Sequence, residues 1–134
     1  MSDFYIAIDF DGTIVEHCFP DIGEPVDGAI FWMKLFQKSG AELILWTMRS
    51  GETLDAAVEY CKENGIEFIY HNEHPQEWTT SKKAYAHIYI DDAAFGCPVV
   101  MTKSGSCVVN WDIVGPVVED RIKRNVTYAE VRRG

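Results

Sequence analysis

The chain has 134 residues, of which 47% are hydrophobic, and a formal net charge of −9. This length and composition predict one globular domain with one core, and they exclude a disordered chain. The negative charge argues against a broad nucleic-acid surface, because it would repel a phosphate backbone. No apolar run is long enough to cross a bilayer, and the first residues do not resemble a secretory signal, so we expect a cytoplasmic protein with no membrane partner.

The order of apolar and polar residues predicts strands that alternate with helices. The expected elements are strands at residues 4–8, 43–46, 66–70 and 88–90, helices at 27–39, 50–64 and from about 112 onward, and a short β-hairpin within 99–109. This alternation predicts an α/β fold with a Rossmann-like, open and mainly parallel sheet flanked by helices.

Particular residues define the ends of the predicted helices. Asp27 and Ser50 are expected to be N-caps, because their side-chain oxygens can accept hydrogen bonds from the first helical N–H groups. Gly40 is expected to end the first helix. Within residues 54–61, apolar side chains recur at helical spacing, which indicates one buried helix face.

Polar side chains follow three of the predicted strands. Asp9 and Asp11 come directly after the first strand, Thr47 ends the second, and Asp91 and Asp92 follow the fourth. In open α/β sheets, ligands bind beyond the carboxyl ends of the strands, so these side chains are expected to converge. Carboxylate oxygens with a bound phosphate suit Mg²⁺. Together with a hydroxyl and a nearby lysine, they predict a metal and phosphate site.

Four motifs in this order resemble those of the haloacid dehalogenase superfamily of phosphatases and phosphotransferases. Residues 9–13, Asp-Phe-Asp-Gly-Thr, match the first motif, and residues 43–47 match the second. Lys83 matches the third, and residues 90–92 match the fourth. The resemblance covers residues 4–92, and its first motif is the most specific.

The resemblance implies a role for each acidic residue. Asp9 would be the nucleophile and would form an aspartyl-phosphate intermediate. Asp11 would act as general acid and then as general base. Mg²⁺ would be bound by the Asp9 side chain, the Asp11 backbone carbonyl and Asp91, with Asp92 as a second ligand from the fourth motif.

The same resemblance assigns the phosphate contacts to Gly12, Thr47 and Lys83. Lys83 is preferred to Lys82 because Lys-x-Tyr-Ala precedes the last strand in small members of the superfamily, although Ala84 stands where proline is expected. If the register slips by one residue, Lys82 takes the role.

Two further residues are candidate substrate contacts. Arg49 follows Thr47 by two residues and could reach a substrate anion or form a surface salt bridge. Asn72 belongs to the polar loop at residues 71–81, from which Asn72 or His74 could contact substrate. A zinc site in this loop is disfavoured because no third ligand is near.

The spacing between motifs leaves no room for a cap domain. We therefore expect one capless catalytic domain over residues 1–134, with an open site. Loops or a second copy of the chain could close it, and because excluding water favours this chemistry we expect a homo-oligomer.

The predicted function is a magnesium-dependent phosphatase acting on a small phosphorylated molecule. One alternative is a phosphotransferase or a phosphatase of nucleotide or polynucleotide ends, for which the basic residues crowded at 121–133 leave some room. Alternatives of another class are a receiver-like phospho-acceptor and a non-catalytic phosphate-binding module.

Overall fold

The computed structural model describes residues 4–133, with side chains given for residues 4–125. Arg132 and Arg133, two of the basic residues near the C-terminus, therefore lie outside the described side chains. Among the described residues, no helix is both long and apolar enough to cross a membrane.

Strands and helices alternate over the first half of the chain, and three further strands precede the last helix. In chain order the elements are β1 (Tyr5–Ile8), α1 (Ala29–Lys38), β2 (Glu42–Leu45), α2 (Gly51–Glu63), β3 (Tyr70–His71), β4 (Ile88–Ile90), β5 (Val99–Met101), β6 (Cys107–Val109) and α3 (Trp111–Arg133).

The main sheet has four parallel strands in the order β3-β2-β1-β4. Strand β1 is central, and Ile8 pairs with Leu45 of β2 on one side and Ile90 of β4 on the other. Because all four strands run the same way, their carboxyl ends lie at one edge. Strands β5 and β6 form a separate antiparallel hairpin.

The core lies between the sheet and its helices. Helix α1 buries Met33 and Phe36, and helix α3 buries Trp111 and Ile122 against the same cluster. Burying each such side chain contributes roughly 1.5–3 kcal/mol. The Trp111 indole N–H also donates a 2.8 Å hydrogen bond to the carbonyl of Thr13, so α3 is joined directly to the turn after β1.

The predicted fold class is confirmed: a parallel, Rossmann-like sheet is flanked by helices, and the described residues contain no cap domain. The predicted hairpin within residues 99–109 is also present.

Two boundaries differ from the prediction. The third strand covers only Tyr70–His71 instead of residues 66–70, because the N–H of Glu67 is bonded to the Gln37 side chain instead of to a neighbouring strand. The N-cap of α1 is Gly28, not Asp27. Gly28 has φ 85°, and a Cβ there would approach that of Trp111 to 3.1 Å, so helix packing favours glycine.

Candidate metal and phosphate site

Three carboxylates meet at the carboxyl edge of the central strands. Asp9 directly follows β1, and Asp91 and Asp92 directly follow β4. These strands are parallel neighbours, and the Asp9 N–H donates to the carbonyl of Ile90 at 3.0 Å. One oxygen from each of the three carboxylates lies within 4.8 Å of the others. We call Asp9, Asp91 and Asp92 the acidic cluster.

The acidic cluster concentrates negative charge. Burial, and then the neighbouring Asp91 and Asp92 carboxylates, raise the pKa of Asp9 to about 8. Within the described residues, no lysine or arginine forms an ion pair with the cluster, and its one basic contact is His17, 3.1 Å from Asp92. Three convergent hard oxygen donors with unbalanced charge fit a divalent cation such as Mg²⁺.

Thr13 contacts two members of the acidic cluster, Asp9 and Asp92. Its buried hydroxyl lies 3.2 Å from Asp9 Oδ2 and 3.4 Å from Asp92 Oδ1, and it accepts a hydrogen bond from the Asp92 N–H. One hydroxyl proton can serve one carboxylate at a time, so Thr13 stabilises the cluster without neutralising it. The threonine of the first motif is the sequence signal for this role.

Gly12 shapes the turn and does not offer its backbone to phosphate. Its N–H donates to the carbonyl of Val15 at 2.7 Å, and its φ is 85°. A Cβ at this position would collide with the His17 ring and the Asp92 carboxylate. Because this N–H is already bonded, the geometry offers no support for the predicted phosphate contact of Gly12. His17 approaches Asp92 through the space that the missing side chain leaves.

Thr47 reaches the same edge of the sheet just beyond β2. Its hydroxyl oxygen accepts the Arg49 N–H at 3.2 Å, which leaves the hydroxyl proton available to a ligand. Its backbone N–H donates to the side chain of Asn72 at 2.9 Å. Thr47 also lines a cleft that contains Asp9, as predicted from the strand order.

Asn72 supports the loop after β2 and also lines the cleft that contains Asp9 and Thr47. Its Oδ1 accepts from Thr47, and its Nδ2 donates to the carbonyl of Arg49 at 3.0 Å. Its φ of 58° is left-handed, a conformation that asparagine tolerates. The predicted substrate contact of Asn72 stays a prediction, since both ends of its amide are bonded while the residue lines the cleft. His74 is directed away into its own loop, where it bonds to the carbonyl of Ser81.

Two clefts open beside Asp9, and Trp46 and Asp91 line both. The first, about 320 Å³, also contains Thr47 and Lys82. The second, about 250 Å³, contains Lys83, whose ammonium group lies 5.5 Å from the centre of the Tyr89 ring. The structure thus brings each lysine to one side of the acidic cluster. No sequence pattern had marked Trp46 as a wall of the site.

Asp11 lies in a different environment from Asp9. Both of its carboxylate oxygens accept hydrogen bonds from Arg49, from Nε at 2.8 Å and from Nη2 at 2.8 Å. Its carboxylate is not part of the acidic cluster. The two aspartates of the first motif are therefore held by separate contacts.

Arg49 is a buried residue, so the geometry offers no support for its predicted contact with a substrate anion. Its side chain is 1% exposed. All five of its N–H groups are bonded, two to Asp11 and three to backbone carbonyls of Pro20, Asp21 and Thr53. No donor remains for a ligand. The salt bridge foreseen as the other interpretation of Arg49 is present, but it is buried instead of lying at the surface.

The fold and this site define an α/β protein with an acidic cluster and neighbouring lysines at the carboxyl edge of its sheet. A solved structure described as that of a conserved protein coded by a locus from Bacteroides thetaiotaomicron is 38% identical to this chain, with a TM-score of 0.72. The match covers 90% of this chain and 93% of that one. The chain belongs to the same family as that conserved protein. No family model and no curated protein matches it.

Proposed function

We propose that the protein is a magnesium-dependent phosphatase that hydrolyses a small phosphorylated molecule. The observation that carries the proposal is the acidic cluster, which lies beside clefts lined by Thr47 and two lysines. Anionic ligands, a hydroxyl donor and ammonium groups around one nucleophilic carboxylate form a set suited to phosphoryl transfer. The four motifs that resemble the haloacid dehalogenase superfamily support the same proposal.

The reaction would proceed in two balanced steps. An Asp9 oxygen attacks phosphorus, the bond from phosphorus to the leaving oxygen breaks, and Asp11 gives that oxygen a proton. Water then gives a proton to Asp11 and attacks phosphorus, and the bond from Asp9 to phosphorus breaks. The products are the alcohol and inorganic phosphate, and both aspartates return to their starting state.

The remaining residues would bind and orient the phosphoryl group. Asp9, Asp91 and Asp92 would hold Mg²⁺, which supplies positive charge that offsets repulsion between nucleophile and phosphate. The Thr47 hydroxyl, oriented by the Arg49 N–H, would donate to one phosphoryl oxygen. Lys83, and Lys82 in the neighbouring cleft, would offer ammonium groups.

Phosphate release from p-nitrophenyl phosphate in the presence of Mg²⁺ tests the proposal. Wild-type activity should disappear with a chelator and in Asp9→Asn, which removes the nucleophile but keeps the side-chain size. Unchanged turnover in Asp9→Asn would refute the nucleophile assignment. Tight binding of beryllofluoride without any turnover would instead indicate a receiver-like phospho-acceptor. A panel of phosphorylated metabolites then identifies the substrate.

We also propose that a second copy of the chain covers the open clefts. Met48 is 97% exposed beside Thr47, and Phe95 is fully exposed near the cleft lined by Lys83. Contact with another copy would bury these side chains and exclude water from the site. Sedimentation velocity tests this part, since a compact and fully active monomer would contradict it.

A further inference from the structure

We propose that Arg49 is a positioning residue that fixes the Asp11 carboxylate for proton transfer. The inference rests on the proposed phosphatase function, and it assigns to Arg49 a part in the reaction without contact to substrate. It is drawn from the contacts of the guanidinium group, its burial and its links to three other segments of the chain.

The guanidinium group holds Asp11 by a two-point contact. Nε donates to Oδ2 and Nη2 donates to Oδ1, each at 2.8 Å. Two parallel hydrogen bonds fix the plane of a carboxylate as well as its position, which a lysine ammonium cannot do. Each oxygen keeps a second lone pair that the guanidinium group does not use, so the carboxylate can still exchange a proton with a ligand.

Arg49 is itself held independently of Asp11. Nη1 donates to the carbonyls of Pro20 and Thr53, and Nη2 donates to the carbonyl of Asp21. These three backbone acceptors come from the loop after β1 and from the first turn of α2. The guanidinium position is therefore set even while Asp11 gives up or takes a proton.

Two aromatic rings also lie close to the guanidinium group of Arg49. Its central carbon lies 4.8 Å from the centre of the Phe10 ring and 5.2 Å from that of Phe19. Phe10 is the residue between the two aspartates, so the same guanidinium group contacts both Phe10 and Asp11. These contacts together define the position of the guanidinium group, and the efficiency of a proton-transfer group depends on such placement.

The first experiment compares leaving groups in wild type and Arg49→Lys. An alkyl phosphate needs a proton on its leaving oxygen, whereas p-nitrophenolate leaves without one. In Arg49→Lys, we expect turnover of an alkyl phosphate to fall about 100-fold, which is typical of lost acid–base catalysis. With p-nitrophenyl phosphate we expect a burst of one p-nitrophenolate per protein, followed by slow turnover, because only the hydrolysis of the intermediate then needs Asp11.

A purely structural role predicts a different result. General loosening of the fold would lower turnover of both substrates by the same factor and give no burst, which would overturn the inference. The matched control is Phe19→Leu, which changes the ring beside the same guanidinium group but removes no hydrogen bond. It should keep the wild-type ratio of the two rates. A wild-type protein that hydrolyses neither substrate would contradict the proposed function instead.

A second measurement does not depend on an Arg49 variant. In ¹⁵N-labelled wild type, the Arg49 Nε–H signal is expected to be protected from solvent exchange and to shift in Asp11→Asn. Protection should persist when Mg²⁺ and beryllofluoride occupy the site, because Arg49 would hold Asp11 throughout the reaction. Loss of protection on binding would show that Asp11 leaves Arg49 to act, which would overturn the inference.

Discussion

Asp9 and Asp11 are two residues apart in sequence, yet their carboxylates have opposite electrostatic surroundings. Asp9 lies among Asp91 and Asp92, and burial with these like charges raises its pKa to about 8. Asp11 has both oxygens bonded to the guanidinium group of Arg49. The chain turns sharply after Asp9, and Gly12 with φ 85° continues that turn, so the two side chains reach different neighbours.

The difference shows how one motif can supply two chemical roles. A carboxylate without a protein cation is suited to binding a metal ion, since the ion balances its charge. A carboxylate that a fixed guanidinium group holds at two points is suited to precise placement. Substitutions on either side should therefore have different effects.

The largest effect on stability is expected from removing the guanidinium group of Arg49, the cation that contacts Asp11. Arg49→Met would leave Asp11 and three backbone carbonyls without their partners in a buried place. Breaking a buried ion pair in this way costs about 3–5 kcal/mol of unfolding free energy. Urea denaturation of the variant and of wild type measures this loss of unfolding free energy. A loss below about 1 kcal/mol, the range of an exposed pair, would show that the pair is not buried in solution.

The next effect concerns the lysines beside the acidic cluster. Lys83→Ala is expected to lower turnover about 100-fold, because it removes one charged donor from the developing phosphoryl charge. Lys82→Ala is the matched control, since it removes the same charge one residue away and should cost less than about 10-fold. Steady-state kinetics with p-nitrophenyl phosphate decides between them. A larger loss in Lys82→Ala would assign the phosphate contact to Lys82, which lines the cleft with Thr47.

Removing the negative charge of Asp9 itself is expected to stabilise the folded protein. Without Mg²⁺, Asp9→Asn should raise the unfolding free energy by about 2 kcal/mol, less than the full pKa shift implies because partial exposure screens the charges. Asp11→Asn should be destabilising under the same conditions, since it disturbs the contact with Arg49. Thermal or urea unfolding of the two variants compares them directly. Equal effects of the same sign would contradict the contrast between the two aspartates.

The smallest effect is the pH dependence of stabilisation by Mg²⁺. Asp9 has an ordinary pKa near 4 when unfolded and about 8 when folded, so the folded state binds the extra proton between these values. In the metal-free protein, the stability that this proton binding contributes is fully present below about pH 4. It is lost as the pH rises through about 8.

Mg²⁺ competes with that proton, so it should stabilise the protein by roughly 1 kcal/mol more at pH 8 than at pH 5.5. Unfolding midpoints with and without Mg²⁺ at the two pH values measure the difference. Asp9→Asn provides the control, because the pH dependence should shrink in it. The same Mg²⁺ effect in wild type and Asp9→Asn would exclude Asp9 as the titrating ligand.

Much of the fold could be predicted from the sequence because its signals are local. Apolar runs marked β1, β2 and β4, and helical spacing marked α2. The third strand was predicted to begin too early, since the N–H of Glu67 bonds to the Gln37 side chain of a distant helix and not to β2. Likewise, Gly28 instead of Asp27 caps α1 because of packing against Trp111.

The sequence by itself determined which residues stand at the ends of the strands, and therefore which carboxylates could meet. Parallel strands end at one edge, so Asp9, Asp91 and Thr47 converge once the strand order is known. Only the tertiary structure decided which cation each carboxylate contacts. Arg49 is 38 residues from Asp11 in the chain, and its fixed position depends on carbonyls of two other segments. Contacts of this kind arise from packing, and no local pattern of residues encodes them.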